Sequence, residues 1–507
     1  MTATAADPRL LVLAPLSVEA RAIRGGAPWA RVHQVGMGPR QAARGAHLAA
    51  EAGGRPVLIA GFCGALDPDL EPGDVVLASE VRGPTGTTTC PDPAILAGVL
   101  RRGGLRVRVG PIASSQRLVV HERRRALQRT GALAVDMESA WLAPAADAQP
   151  LVTMRVVLDT HRRELHRPLR TLAGAAVAYR RLRRACALIE EWACALGPRE
   201  IVLAAPRASC AGVERAVEVV ERALESRGPP IYVRKQIVHN AHVVADLRSR
   251  GAIFVEELDE VPHGATVIFS AHGVSPAVRA EAAARGLDVI DATCPLVSKV
   301  HAEARRFAAA GYDIVLVGHV GHEEVEGTFG EAPERMHVIG SADEVENLRV
   351  EDPERVAYLT QTTLAVDETT GVTDALRVRF PGLVGPASSD ICYATQNRQD
   401  AVRALAEDCD VVLAIGSRNS SNSRRLVEVA ERAGRPAALV EDASDIPPAL
   451  LIGARRVGLT AGASAPEALV EGVVRAIDGL GGASVGERVV AHEKVHFKLP
   501  PQVRPGR

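Results

Sequence analysis

The stretch Val317-Gly318-His319-Val320-Gly321-His322-Glu323-Glu324-Val325-Glu326-Gly327 begins at the end of an apolar run and leads into a helical pattern. An apolar strand followed by a small or polar loop and a helix is typical of one α/β unit. The same theme recurs in the loops at 269–275, 415–423 and 460–466. Because ligands bind at the carboxyl ends of strands in open α/β sheets, we expect several such units to face a common centre.

The length, charge and composition of the chain limit the classes of protein to which it can belong. A length of 507 residues favours two or more domains, and Lys+Arg 60 against Asp+Glu 61 gives no electrostatic footprint for nucleic acid. No apolar run approaches the roughly 18 residues of a membrane span. The apolar stretch at 10–16 has no basic leader, so we expect a first strand rather than a signal peptide. Eight cysteines are too sparse for a disulfide scaffold, and we expect a cytoplasmic protein.

Apolar runs and helical patterns alternate throughout, which predicts an α/β protein with largely parallel sheets. A long helical pattern at 174–196 ends at Gly197-Pro198, a strong helix stop, and a new strand begins at Ile201. We therefore predict two domains, residues 1–197 and residues 198–507. The arginine run at 162–184 is interpreted as the solvated face of a terminal helix, with a partner or phosphate patch as the alternative.

Three cysteines, Cys210, Cys294 and Cys392, are each flanked by Gly, Pro or Ala at a presumed strand end. Three thiolates can hold a four-iron cluster and leave one iron free of protein ligands. Their spacing matches neither zinc sites nor ferredoxins, so spacing alone does not identify a cluster. The other five cysteines are interpreted as small buried hydrophobes: Cys63, Cys90, Cys186, Cys194 and Cys409.

Residues 199–507 closely resemble the 4-hydroxy-3-methylbut-2-enyl diphosphate reductases, the last enzymes of the methylerythritol phosphate route to isoprenoids. The resemblance rests on motifs in order along the chain: Val238-His239-Asn240, Ser270-Ala271-His272-Gly273, Asp291-Ala292-Thr293-Cys294-Pro295, the stretch at 321–327, Thr360-Gln361-Thr362-Thr363, Asn419-Ser420-Ser421-Asn422-Ser423 and Ala461-Gly462-Ala463-Ser464.

This resemblance implies three small α/β units in a pseudo-threefold arrangement around a central [4Fe–4S] cluster bound by Cys210, Cys294 and Cys392. It also implies Glu324 as proton donor and Thr362 as the residue that positions and relays the proton. The implied activity is reductive dehydroxylation to isopentenyl or dimethylallyl diphosphate, with a ferredoxin or flavodoxin as electron donor. The implied diphosphate site consists of His239, His272, His322, Ser420, Ser421, Asn422 and Ser464, which we expect to act as imidazolium, hydroxyl and amide donors.

Two points qualify this interpretation. Ala208-Ser209 stands where the family usually shows Gly-Phe, beside the first cysteine. The cluster could also serve as a redox or iron sensor without catalysis, although a sensor has no need of the proton donor Glu324 or of Thr362.

The first half carries a second set of motifs. Ala60-Gly61-Phe62-Cys63-Gly64-Ala65 is interpreted as a strand followed by a small-residue turn, which lets backbone approach a ligand. With the segments at 135–139 and 155–159, it resembles the purine nucleoside phosphorylase and methylthioadenosine nucleosidase superfamily over roughly residues 9–170. The loop Asp159-Thr160-His161-Arg162-Arg163, followed by Pro168, is similar to the hopanoid-associated phosphorylases, which remove adenine from adenosylhopane.

That resemblance implies a nucleoside phosphorylase-like α/β domain that takes an adenine nucleoside and phosphate. Met137 and Glu138 match the ribose-contacting pair, and Asp159 matches the carboxylate that protonates the leaving purine. Glu19 falls where nucleosidases keep an acid that activates water. Two alternatives stay open: a methylthioadenosine or adenosylhomocysteine nucleosidase, and a non-catalytic purine-sensing or docking module.

Overall fold

The computed structural model describes residues 10–146, 150–161 and 168–504, with side chains described from residue 174 in the last range. These residues form two compact units. The N-terminal unit contains the described residues up to Ile201 with Asp442–Val457 and Glu471–Val485, and the C-terminal unit contains the remainder. The predicted boundary at residue 197 stays a prediction. No described helix is long and apolar enough to cross a lipid bilayer.

The N-terminal unit is built on one mixed sheet, in which eight strands are described. Their order is β2-β1-β3-β7-β6-β4-β5, and β8 pairs with both β3 and β4, so that five of the strands close on themselves. The elements are β1 (Leu11–Ala14), α1 (Ser17–Gly26), β2 (Arg31–Gln34), α2 (Pro39–Ala50), β3 (Val57–Ala65), β4 (Val75–Gly83), β5 (Gly86–Thr89), α3 (Ala94–Arg102), β6 (Val107–Ser114), α4 (His121–Gln128), β7 (Ala134–Asp136), α5 (Ser139–Leu142), β8 (Leu151–Asp159), α6 (Pro168–Leu188) and α7 (Glu190–Cys194).

Two local predictions in this unit are wrong. The small-residue segment Gly61–Ala65 is not a turn but the second half of β3, which pairs in parallel with β8. Glycine is needed there for space, because a Cβ at Gly61 would lie 2.6 Å from both Oε1 of Glu19 and Nη1 of Arg155. The predicted helix at 174–196 is two helices, α6 and α7, which meet at Ile189.

The second part of the chain contains three further sheets in the described residues, ordered β11-β10-β12-β13, β15-β14-β16 and β18-β17-β19-β9-β20. The elements are β9 (Arg199–Ala205), α8 (Ala211–Arg227), β10 (Ile231–Arg234), α9 (Ala241–Ser249), β11 (Ala252–Val255), β12 (Thr266–Phe269), α10 (Pro276–Ala284), β13 (Asp288–Asp291), α11 (Pro295–Ala309), β14 (Asp313–Val317), α12 (Glu323–Phe329), β15 (Met336–Ile339), β16 (Val356–Thr360), α13 (Val366–Arg379), α14 (Tyr393–Asp408), β17 (Val411–Ile415), α15 (Ser421–Arg432), β18 (Ala437–Val440), α16 (Pro448–Leu451), β19 (Arg456–Ala461), α17 (Glu467–Asp478) and β20 (Ala483–Val489).

Each of the three sheets carries one long helix in its core. The apolar side of α8, spaced at helical intervals from Ala216 to Leu224, packs with β10 and β12. Val300 of α11 packs with β14 and β16, and Val402 of α14 packs with β9 and β17. The predicted α/β fold class is confirmed, and the strands that pair within the first two of these sheets are parallel.

Candidate functional site

The three predicted ligand cysteines stand immediately before the three long helices. Cys210 precedes α8, Cys294 precedes α11 and Cys392 precedes α14. The positive end of a helix dipole favours an anionic side chain, and cysteines at helix N-termini ionise more readily. All three cysteines line one cavity of the C-terminal unit, so the structure brings together three residues that lie far apart in the chain.

The space between the thiols suits a cluster. A Cβ at Gly212 would lie 2.7 Å from Sγ of Cys294 and 3.8 Å from Sγ of Cys210, so only glycine leaves this space open. In the described part of the chain no fourth cysteine lines the cavity. The donor set therefore fits a [4Fe–4S] cluster with one iron free of protein ligands.

Burial changes the ionisation of these thiols. It raises the pKa of Cys294 to about 12 and that of Cys392 to about 11. Backbone N–H groups at the helix N-termini donate to both sulfurs, and these hydrogen bonds offset only part of the rise in pKa. Because thiolates are the ligands of iron, cluster binding must release these protons.

The three predicted histidines form a cluster on the wall of the same cavity. The rings of His239 and His272 stack with 4.0 Å between centroids, and the ring of His322 stands edge-on at 5.4 Å and 5.9 Å from them. Burial lowers the pKa of His239 to about 3 and that of His322 to about 4. Both rings are therefore neutral near pH 7 in the free protein, and their role as imidazolium donors to a diphosphate stays a prediction.

Sequence reasoning missed the acidic neighbour of this cluster. Oε2 of Glu323 lies 3.1 Å from Nδ1 of His272, close enough for an ion pair but without the alignment of a hydrogen bond. Glu323 was visible in the motif at 321–327, and its position directly after His322 was the available signal. His272 and His239 lower the pKa of Glu323, so this residue adds a carboxylate to the histidine cluster.

The predicted serine and asparagine residues offer unused polar atoms to the cavity. Ser420 is the N-cap of α15, where its hydroxyl accepts from the backbone N–H of Ser423 at 3.3 Å. Among the described residues, Oγ of Ser421 and both amide heteroatoms of Asn422 are buried without a hydrogen-bond partner. Ser464 donates its hydroxyl to the carbonyl of His239 at 2.9 Å. An anion such as a phosphate group could accept hydrogen bonds from the two donors among these atoms, the Ser421 hydroxyl and the Asn422 NH2, at this helix N-terminus.

Glu324 and Thr362 line this cavity as a hydrogen-bonded pair. The backbone N–H of Thr362 donates to Oε1 of Glu324 at 2.6 Å, and the Thr362 hydroxyl lies 3.0 Å from Oε2. Burial raises the pKa of Glu324, and the hydrogen bonds from Thr362 oppose that change. A carboxyl group in this setting can hold a proton beside the three cysteines.

The departure from the family pattern has a structural consequence. Ala208 adopts a left-handed backbone with φ of 59°, a conformation that glycine adopts at lower cost. Its carbonyl accepts hydrogen bonds from the buried guanidinium of Arg398 at 2.6 Å and 3.1 Å. The loop before Cys210 is thus kept in the conformation that the alanine disfavours.

A separate pocket in the N-terminal unit gathers the four residues predicted there. It is lined by Glu19, Met137, Glu138 and Asp159. Oε1 of Glu138 accepts from the backbone N–H of Gly38 at 2.8 Å. Glu138 follows β7, and Asp159 ends β8, so strand ends supply both acids.

Glu19 is a buried acid on α1. It accepts from the backbone N–H groups of Phe62 and Leu16, both at 2.6 Å. Burial raises its pKa to about 7, although the nearby Arg155 opposes the shift. Its carboxyl therefore changes charge near neutral pH.

Two arginines of this pocket region were not predicted to be functional. The guanidinium of Arg124 forms a buried ion pair with Asp159, and the fully buried Arg155 pairs with Asp136 at 2.6 Å. Arg155 opens the segment at 155–159, which was a usable signal. Arg124 lies in an arginine-rich helix, α4, whose pattern does not distinguish it from surface arginines. Arg162 and Arg163 of the adjoining loop lie outside the described residues.

Comparison with known proteins defines the class of the C-terminal unit. Residues 201–478 match the LytB protein family, and the chain belongs to that family. Among similar proteins, the 4-hydroxy-3-methylbut-2-enyl diphosphate reductase of Azoarcus sp. (strain BH72) is 58% identical over 308 residues, which cover 61% of this chain and 99% of that protein. The reductase of the same description from Bordetella bronchiseptica is 59% identical over 301 residues, covering 59% of this chain and 92% of that protein.

A solved structure agrees with this assignment. The E-1-hydroxy-2-methyl-but-2-enyl-4-diphosphate reductase from Plasmodium falciparum superposes with a TM-score of 0.58 at 38% identity, covering 60% of this chain and 97% of that chain. Residues 23–192 match the phosphorylase superfamily, so the N-terminal unit contains a phosphorylase-superfamily domain.

Proposed function

We propose that the C-terminal unit converts (E)-4-hydroxy-3-methylbut-2-enyl diphosphate to isopentenyl and dimethylallyl diphosphate. The reaction consumes two electrons and two protons, breaks the C–O bond of the hydroxyl and releases water. The observation that carries the proposal is the Glu324–Thr362 pair in the same cavity as Cys210, Cys294 and Cys392. The similarity to the Azoarcus reductase over nearly its whole length supports the same substrate.

The residues of the chain divide the work between binding and proton delivery. When bound, a [4Fe–4S] cluster held by the three cysteines would supply electrons and a Lewis-acidic iron. The histidine cluster, Ser421 and Asn422 would hold the diphosphate, whose oxygens would accept from the hydroxyl of Ser421 and the amide NH2 of Asn422. Glu324 would donate the proton that lets the hydroxyl leave as water, because hydroxide is a poor leaving group.

The two hydrogen bonds to Glu324 distinguish its two oxygens. A backbone N–H can only donate, so Oε1 of Glu324 is an acceptor, and when the carboxyl is protonated Oε2 is the favoured site of the proton. Oε2 faces the hydroxyl of Thr362, which can accept that proton and donate its own into the cavity. The electrons would come from a ferredoxin or flavodoxin, as proposed from the family resemblance.

Anaerobic purification of the full chain tests this function. We expect a brown protein that consumes the hydroxylated diphosphate with a chemical reductant. Cys294→Ser should lose the cluster and turnover, whereas Cys409→Ser, a buried cysteine that does not line the cavity, should retain both. A folded, iron-free and active protein would contradict the proposal, and a cluster without turnover would favour the sensor.

We propose a second activity, release of the purine from a nucleoside, for the N-terminal unit. Two acids that line the pocket support this activity, since Glu138 would contact the ribose and Asp159 would protonate the leaving base. Met137 would contact the ribose. A 5′-substituted adenosine such as adenosylhopane is the proposed substrate, which would put this unit in hopanoid side-chain synthesis.

A buried acid of the pocket, Glu19, supports water rather than phosphate as the acceptor of the ribosyl group. Glu19 in its ionised form could take a proton from water. The other charged groups that line the pocket have both signs: Asp136, Glu138, Asp159, Arg117 and Arg124.

Adenine release from 5′-substituted adenosines, measured with and without phosphate, tests this second activity. We expect release in both conditions at the same rate. Strict dependence on phosphate would restore the phosphorylase interpretation. Absence of release from every nucleoside tried would favour the non-catalytic purine-sensing or docking module.

A further inference from the structure

The helix after each ligand cysteine carries a basic side chain that holds the loop before another ligand cysteine. On α8, five residues after Cys210, Arg215 donates from Nη1 to the carbonyls of Ala292 at 3.0 Å and Thr293 at 3.1 Å. These two carbonyls belong to the residues directly before Cys294. The first cysteine helix is therefore hydrogen-bonded to the second cysteine loop.

The second cysteine helix repeats this contact. Lys299, five residues after Cys294 on α11, donates from Nζ to the carbonyls of Ser388 at 2.7 Å and Ser389 at 2.9 Å. It also pairs with the buried carboxylate of Asp390 at 3.2 Å. These three residues lead into Cys392, so the second helix holds the third cysteine loop.

The third helix returns to the first loop. Arg398, six residues after Cys392 on α14, is fully buried and donates to the carbonyl of Ala208 at 2.6 Å and 3.1 Å and to that of Arg207 at 3.4 Å. Those residues lead into Cys210. Going from helix to loop, the contacts run from the first cysteine to the second, the third and back to the first.

We propose that Arg215, Lys299 and Arg398, here called the cation ring, are positioning residues that hold the three cysteine loops at cluster distance. The proposal rests on the assignment of the three cysteines as cluster ligands. Each loop is fixed at its downstream end by its own helix and at its upstream end by a charged donor from another helix. Charge-assisted hydrogen bonds to backbone carbonyls are stronger than neutral ones.

The cation ring accounts for two features that the three ligand cysteines alone do not explain. The left-handed Ala208 stands at one of its contacts, where two hydrogen bonds from one guanidinium hold the carbonyl in place. Arg215 donates to backbone carbonyls, including that of Lys498 at 2.9 Å. These hydrogen bonds therefore fix the path of the backbone and do not neutralise a charged side chain. A closed ring also implies that opening one contact loosens all three loops.

The test is the rate at which a chelator removes iron from the anaerobically reconstituted full chain, followed by loss of the visible absorbance of the cluster. Arg215→Leu and Lys299→Met should each accelerate iron loss roughly ten- to a hundredfold, the usual cost of removing a group that supports metal ligands. The double variant should lose iron little faster than either single variant, because one break opens the ring. Thermal unfolding of the iron-free proteins should change little.

Arg222→Leu is the matched control, since Arg222 lies on α8 and pairs only with the exposed Glu218 and Glu225 among its described ion pairs. It should lose iron at the wild-type rate. Wild-type rates in Arg215→Leu and Lys299→Met would overturn the proposal. Additive effects in the double variant, or an equal loss of stability in the iron-free variants, would also overturn it in favour of a merely structural role. If an Arg215 or Lys299 variant does not fold, Arg215→Lys and Lys299→Arg, which keep a donor, should fold and retain near-wild-type rates; rapid iron loss in both would contradict the ring.

Discussion

Thr362 donates its backbone N–H to one carboxylate oxygen of Glu324 and places its hydroxyl against the other, at 2.6 Å and 3.0 Å. One residue thus sets both the orientation of the buried acid and the direction in which its proton can leave. The contact joins α12, where Glu324 lies, to the loop after β16. Proton delivery in the C-terminal unit therefore depends on a contact between two elements that are not adjacent in the chain.

Replacement of Thr362 separates orientation from relay. Thr362→Val keeps the backbone N–H and the shape but removes the hydroxyl, so we expect turnover to fall about 10²-fold, the lower range for general-acid help. Thr362→Ser restores the hydroxyl and should recover most of that loss. Steady-state turnover with equal cluster content is the measurement, and a Val variant as active as the Ser variant would remove the relay role.

Diphosphate binding should take up protons. The pKa values of His239 and His322 lie at about 3 and about 4 in the free protein, so both rings are neutral near pH 7. A bound dianion favours the imidazolium and raises these values, and affinity for isopentenyl diphosphate should therefore increase as pH falls from about 8 to about 6. Calorimetry in buffers of different ionisation enthalpy measures the uptake. His263→Asn, outside the cavity, should leave it unchanged, and binding heats independent of the buffer would contradict it.

Ala208→Gly should stabilise the protein, the reverse of the usual effect of this change. The left-handed φ of 59° costs alanine about 1–2 kcal/mol, which exceeds the roughly 0.5–1 kcal/mol that glycine loses in chain entropy. We expect the free energy of unfolding to rise by up to about 1 kcal/mol in chemical denaturation. Ala216→Gly, inside α8, should lower it by about that amount. A decrease in both variants would show that Ala208 is not strained.

Base release by the N-terminal unit should depend on pH through Glu19. Its pKa of about 7 means that the carboxyl is protonated below that pH and can accept a proton from water only above it. The rate should therefore rise with pH through about 7 and then level off. Glu19→Gln should abolish this dependence and most of the activity. An unchanged profile in that variant would exclude Glu19 as the base.

The raised pKa of Glu19 also determines how its contribution to folding stability changes with pH. Its folded pKa lies above the ordinary carboxyl value of 4.5, so the folded state binds more protons between those two values. Stability from this group is therefore lost as pH rises from about 4.5 to about 7 and is constant above that range.

The sequence predicts those features that depend on local chemistry. The apolar runs and helical patterns around the loops at 269–275, 317–327 and 415–423 predict strand, loop and helix, and the structure has all three at each place. The sequence predicts less about the features that tertiary contacts determine. Gly61–Ala65 continues as strand because β8 pairs with it, and nothing near Arg124 in the sequence indicates its pairing with Asp159.

The cation ring could not be predicted from the sequence either. Arg215, Lys299 and Arg398 contact backbone carbonyls, which every residue possesses, so no side-chain pattern marks their partners. The lowered pKa values of the histidines follow from burial, which the loop sequence around His239 does not reveal. Both features are determined by packing between segments that lie far apart in the chain.

The most direct test of the central claim compares Glu324→Gln with Glu326→Gln in the anaerobically purified full chain. Glu324 is buried in the cavity, whereas Glu326, one half-turn along α12, is exposed and pairs with Lys235. Both variants should retain the visible absorbance of the cluster. We predict that turnover of (E)-4-hydroxy-3-methylbut-2-enyl diphosphate falls about 10²–10⁴-fold in Glu324→Gln and is unchanged in Glu326→Gln. Wild-type turnover in Glu324→Gln with an intact cluster would contradict the account.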